Sequence, residues 1–145
     1  MRLSRLSDEA VWDIFRCLPG RVGVSESELR AAESRLDVRL PEAYRDLMLE
    51  GGRSLAGADI LLPLERLFRI GGPEGDSRQP QAKVLERRWV VIGVDDIRAL
   101  YVIDGNGEPD SAVHECDGPT GTEWRVIDSN LRTFVVGRLR CYLSG

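Results

Sequence analysis

Apolar residues recur at helical spacing in three stretches near the start of the chain. Val11, Ile14, Phe15 and Leu18, widened by Trp12, make one stripe. Ser7 stands where an N-cap is needed and Leu18-Pro19-Gly20 stops the pattern, so the spacing predicts a helix over 7–18. Leu29, Ala32 and Leu36 make a second stripe behind Ser25-Glu26-Ser27-Glu28. That motif is a capping box, in which the Ser25 hydroxyl accepts from the Glu28 amide while the Glu28 carboxylate reaches back. Leu40-Pro41 breaks the pattern, and Pro41 suits the first position of a third helix, where its missing N–H does no harm. Tyr44, Leu47 and Met48 face inward there, and Gly51-Gly52 reads as a left-handed C-terminal stop.

Beyond Gly52 the apolar runs shorten. Ile60-Leu61-Leu62 ends at Pro63, Leu64 to Phe68 reads as one more helical turn, and 71–80 is rich in Gly and Pro and reads as a loop. Residues 81–88 fit neither period. Strands follow at Trp89–Val94, Leu100–Ile103, Ala112–Glu115 and Glu123–Ile127, separated by turn formers of which Asp104-Gly105-Asn106-Gly107 is the strongest hairpin signal. Asp128 or Ser129 caps a final helix with Leu131, Phe134, Val135, Leu139 and Tyr142 on one face. The expected fold is α+β: N-terminal helices, a central antiparallel sheet of hairpins, and a C-terminal helix packed on the sheet. With 145 residues, no internal repeat and no dividing linker, one domain over 1–145 is expected.

Composition adds a constraint through charge. The chain is 42% hydrophobic and 30% charged, too apolar for disorder, with a net charge of −4. An acidic balance argues against direct binding to nucleic-acid backbone, which needs an excess of Lys and Arg. The charge is unevenly spread. Between Val90 and Asn130 only Arg98 and Arg125 oppose nine carboxylates, a local −7, whereas 131–145 carries +3 and no acid. Three widely spaced cysteines, Cys17, Cys116 and Cys141, form no Cys-x-x-Cys pair. Neither a secretory signal nor a run of ~20 apolar residues is present. The expectation is a reduced, cytoplasmic protein without membrane contact.

None of the chemical motifs is complete. His114-Glu115-Cys116 begins like the zinc signature of nucleobase deaminases, but no Pro-Cys-x-x-Cys follows. On a strand His114 and Cys116 share a face, giving two ligands where zinc takes three or four. Asp104-x-Asn106-x-Glu108 imitates calcium-loop spacing, yet Pro109 occupies the position where the sharp turn needs Gly. Gly71-Gly72-Pro73-Glu74-Gly75 lacks the Lys-Ser/Thr of a phosphate loop. The expectation is a protein that is not an enzyme, with no metal and no cofactor.

One set of residues does form a pattern. Ser25 to Glu33, Leu36, Leu40-Pro41-Glu42-Ala43-Tyr44 and Gly51-Gly52 resemble the opening of the SUKH superfamily. Ile60-Leu61-Leu62-Pro63-Leu64 looks like that family's first strand and the turn after it. Val91-Ile92-Gly93-Val94-Asp95 with Leu100 to Asp104 is similar to its central hairpin, and the helix around Leu131 and Phe134 to its ending. The likeness covers about 24–143, which leaves the helix over 7–18 as an addition. Two positions depart: Glu50 precedes Gly-Gly where Asn is frequent, and Asp96-Ile97-Arg98 stands where glycines are common.

The resemblance implies a binding protein. Bacterial members are largely immunity proteins that neutralise cognate polymorphic toxins, many of them nucleases, and a fungal branch contains a cell-wall-synthesis regulator. An acidic surface would steer a basic partner and occupy the site where it holds phosphates. The candidate partner-binding residues are Asp95, Asp96, Asp104, Glu108, Asp110, Glu115, Asp117, Glu123 and Trp124. Tyr101 and Trp124 are the aromatic anchors on offer, although both also suit a core. The alternative is an intracellular regulatory or scaffold module with no toxin partner.

Overall fold

The computed structural model describes residues 5–70, 89–95, 99–105, 109–117 and 124–144. Ser7 caps α1 (Asp8–Arg16), its side chain accepting from the Ala10 amide at 3.1 Å. The capping box at α2 (Glu26–Leu36) forms in both directions, Glu28 amide to Ser25 Oγ at 3.1 Å and Ser25 amide to Glu28 Oε1 at 3.3 Å. That helix ends at Asp37, whose φ of 54° is left-handed, four residues before Pro41. Pro41 takes the N-cap of α3 (Glu42–Gly57), one position earlier than expected.

Gly51-Gly52 does not stop α3; the helix bends there and continues to Gly57. Gly51 has φ −165° and ψ 26°, extended rather than left-handed, so the glycine answers a steric need. A Cβ on Gly51 would stand 2.5 Å from Phe15 Cζ of α1. At the bend the helix exchanges bonds with the segment before α2. Val22 carbonyl accepts from the Arg53 and Ser54 amides at 3.0 and 3.1 Å, Val24 amide donates to Met48 carbonyl at 2.9 Å, and Val22 amide donates to Ser54 Oγ at 2.8 Å. Backbone groups freed by the bend are thereby satisfied.

Ile60-Leu61-Leu62 forms no strand. It turns a corner, with Ile60 and Leu61 buried and the Leu62 amide donating to Ile92 carbonyl at 2.7 Å. A 3₁₀ turn at Leu64–Arg66 precedes β1 (Phe68–Ile70), a strand too short to show a period of two. The expected loop over 71–80 and the stretch 81–88 lie outside the described residues. β2 (Trp89–Val94), β3 (Ala99–Asp104), β4 (Val113–Asp117) and β5 (Trp124–Asp128) complete a five-stranded antiparallel sheet in chain order. α4 (Leu131–Ser144) is capped by Asn130 rather than Asp128 or Ser129, its Oδ1 accepting from the Thr133 amide at 2.8 Å.

The sheet is apolar on both faces. Val90, Ile92, Tyr101, Ile103 and Val113 join Leu29, Tyr44, Leu55, Phe134 and Val135 in the main core. Trp89, Val91, Val102 and Cys116 form a second cluster, against which Ile70, Leu100 and Trp124 pack. α1 lies on α4: the Arg132 guanidinium sits 5.4 Å over the Trp12 ring, and Arg140 Nη2 donates to Leu6 carbonyl and Asp8 Oδ1 at 2.7 and 2.8 Å. The fold is thus α+β, with N-terminal helices, a central sheet and a C-terminal helix packed on it.

Tyr44 is wholly buried and, among the described residues, its hydroxyl has no hydrogen-bond partner; burial pushes the phenol well above its usual range. An unpaired buried hydroxyl costs about 1–3 kcal/mol. Tyr44→Phe keeps the ring and is therefore expected to raise the urea midpoint by an equivalent amount. A lower midpoint would show that the hydroxyl contributes something the geometry does not reveal.

Candidate functional site

The described hairpin carboxylates fall at two ends of the sheet. Successive turns of a meander fall at alternate ends of the sheet, and the acids follow the turns. Asp95 follows β2; its amide donates to Ala99 carbonyl at 3.0 Å and its Oδ2 accepts from the Tyr101 hydroxyl at 3.1 Å. Asp117 is paired with Ala99 by register, so it closes β4 at the same end. Asp104 lies at the other end of β3, roughly 17 Å away at ~3.4 Å per residue. There its amide donates to Ser111 Oγ at 3.1 Å. Asp110 sits at that far end too, its Oδ1 accepting from the Ser111 amide at 2.7 Å and the Leu131 amide at 3.3 Å. A carboxylate at the start of α4 is electrostatically well placed.

Glu115 and Trp124 turn to opposite faces. Glu115 shares the α4-facing side with Tyr101 and is opposed by Arg125, whose Nη2 donates to Oε1 at 2.8 Å. Trp124 is half-buried on the second cluster, edge-on to Trp89 at 5.1 Å and 6.3 Å from the His114 ring. Asp96, Glu108 and Glu123 lie outside the described residues. Tyr101 is a core ring, tilted on Phe134 at 4.8 Å and 6% exposed.

Beside Asp95 the structure has an open groove of about 700 Å³, between the corner at 58–63, the end of β2 and the last two turns of α4. Its rim carries Val94 and Tyr142, 42% and 57% exposed. Tyr142 continues the spacing of the buried stripe, but the stripe runs past the packed core after Leu139. Arg138 lines the groove; its Cζ lies 5.0 Å from the Tyr101 ring centroid and its Nη1 donates to the Tyr101 hydroxyl at 3.3 Å. Burial raises the Tyr101 phenol, Arg138 pulls it back, and Asp95 and Glu115 push it further up. Tyr101 therefore stays neutral and donates to Asp95. The groove draws on three separated stretches of chain, and no local motif marks it.

Among the described residues no three His, Cys, Asp or Glu side chains converge as a metal-ligand set. Cys17 and Cys141 are exposed and Cys116 buried, and no disulfide joins them. No helix among the described residues is long and apolar enough to cross a membrane.

The model of the SMI1 / KNR4 family (SUKH-1) matches residues 23–137, about four fifths of the chain. The chain belongs to the SMI1 / KNR4 (SUKH-1) family. No curated protein and no solved structure gives a match. In this SUKH-1 chain the matched region begins at Gly23 and ends inside α4, leaving α1 outside it. α1 nonetheless completes the frame: Phe15 fills the space over Gly51, and Arg16 Nη2 lies 3.6 Å from Glu50 Oε1. Glu50, the departure from the usual residue before Gly-Gly, thus faces a helix that the family model does not include.

Proposed function

We propose that residues 1–145 form one SUKH-like unit that acts as an immunity-type protein, holding a basic cognate toxin in a stoichiometric complex with no chemistry of its own. The observation that carries this reading is the concentration of nine carboxylates in the hairpins of a SUKH-1 frame, with Asp95 and Asp117 closing their strands at the same sheet end and Asp95 lining an open groove. That end, with Asp96, is the proposed contact surface. Asp104 and Asp110 add to the long-range field from the far end, Glu108 contributes its charge to that field, and Glu115 is already countered by Arg125. Local fields of this kind accelerate encounter with a partner of opposite sign and are screened by salt. A nuclease toxin fits best, because its phosphate-binding surface supplies the positive charge.

The test is co-expression with the toxin domain encoded beside this gene. The expected result is survival and a one-to-one complex. Reversing Asp95 and Asp96 together to Lys is expected to slow association roughly tenfold and flatten its salt dependence, with dissociation little changed. A toxin that stays active and forms no complex at micromolar concentration rejects the immunity reading and leaves the regulatory or scaffold module.

A further inference from the structure

α4 carries a glycine for which the fold supplies no reason. Gly137 stands in the middle of the helix, where glycine is a poor helix former, and its φ is not left-handed. Gly51 is kept free of a side chain by Phe15 and Gly23 by the Leu49 carbonyl. At Gly137 an added Cβ would meet nothing within 4 Å among the described residues beyond the helix's own backbone. Gly137 does, however, line the groove beside Asp95, and a side chain there would project into it. The same lining holds Val94 and Tyr142, both exposed, and Leu62 and Pro63 at the corner. The glycine thus leaves open a space with apolar surface around it, and no contact within the chain requires that space.

The charges narrow the choice of occupant. In the lining Asp59 and Asp95 balance Arg66 and Arg138, so the groove itself has no net charge. The Tyr101 hydroxyl accepts from Arg138 and donates to Asp95, which holds both side chains in the wall. Around the groove the balance is negative. The stretches 95–98 and 117–123 join strands at this end of the sheet, and they carry Asp95, Asp96, Asp117 and Glu123 against Arg98. A charge entering the groove would lose water beside groups that already balance one another, whereas an apolar group loses nothing there. Cations suit the surroundings. We infer that the groove receives an apolar side chain of the partner protein, on a segment with Lys or Arg beside it. The apolar group lies over Gly137 against Val94 and Tyr142, and the cations meet the carboxylates of the turns. This rests on the reading that a basic protein binds at the Asp95 end, and it adds the place where that protein is held. The acids speed encounter, and the apolar anchor slows departure.

Gly137→Leu fills the groove from within and improves helix propensity, so its urea midpoint is expected at or above that of wild type. A lower midpoint would show that the glycine serves the fold and would overturn the assignment. With the toxin domain encoded beside this gene, the variant is expected to dissociate roughly 30-fold faster or more while association stays near wild type. Tyr142→Ala, which removes part of the rim, is expected to dissociate roughly tenfold faster. Three peptides are also titrated into the isotope-labelled full chain by NMR: acetyl-Lys-Leu-Lys-amide, acetyl-Lys-Ser-Lys-amide and acetyl-Glu-Leu-Glu-amide. Only the first is expected to shift Val94, Gly137 and Tyr142 at millimolar concentration, and Gly137→Leu is expected to abolish those shifts. Equal responses to the three peptides, or shifts that survive Gly137→Leu, would overturn the assignment. A free chain that sediments as a dimer, and as a monomer once Gly137→Leu is made, gives the groove to a second copy instead. A complex that forms with wild type and dissociates no faster with either variant sinks the groove assignment and leaves the immunity reading standing. If wild type forms no complex, the immunity reading falls, and the peptides alone decide the occupant.

Discussion

Gly23→Ala is expected to cost about 3 kcal/mol or more, because a backbone atom stands in the way. A Cβ on Gly23 would overlap the Leu49 carbonyl oxygen and lie 2.6 Å from its carbon. A flexible side chain could swing aside, but here α3 and the segment at 22–24 would have to separate. That separation strains the bonds from Val24 to Met48 and from Arg53 and Ser54 to Val22, which hold the bend together. Single domains are stable by only about 5–15 kcal/mol, so the urea midpoint should fall steeply and the variant is expected to express poorly. A midpoint within about 0.5 kcal/mol of wild type would mean that the segment does not sit in the bend.

Phe15→Ala is expected to cost about 3–5 kcal/mol, as deletion of a buried aromatic ring does. Its particular value is the coupling to Gly51. Gly51→Ala alone should destabilise by about 1–3 kcal/mol, since its new methyl group meets the Phe15 ring. Once the ring is gone the methyl group enters vacated space, so the second substitution should cost about 1 kcal/mol less in the Phe15→Ala background. Strictly additive losses would show that the glycine is required for the bend itself and not for the ring. This cycle also measures how far a helix outside the family match supports the matched region.

Most of the architecture was legible because local signals and tertiary packing agree. Ser7, Ser25 with Glu28, and the apolar runs of β2 and β3 each act within a few residues, and the fold keeps them. Gly51-Gly52 was misread because sequence does not distinguish a glycine chosen for its backbone angles from one chosen for its missing side chain. The difference lies in Phe15, which is 36 positions away. Ile60 to Leu62 has strand composition but meets the sheet at a corner, and three residues of β1 give too few alternations to register. At the candidate site the total charge was readable and its division was not. A meander sends consecutive turns to opposite ends, which separates Asp95 from Asp104 although both flank β3. The groove was invisible for a simpler reason: Tyr142 was read as a position on a helix face, and what brings it and Arg138 into one groove is the corner at 58–63.

The docking of α1 on α4 has a bearing on how the chain is made. Asp8 and Arg140 are partners separated by 132 positions. During synthesis α1 leaves the ribosome well before α4, the helix it finally rests on. Until then Val11, Trp12 and Phe15 have only Gly51 and its surroundings to shelter them, and closing so long a loop comes late. At roughly 5–20 residues per second, several seconds pass in which the amphipathic helix α1 presents its apolar stripe to whatever chaperones handle the nascent chain.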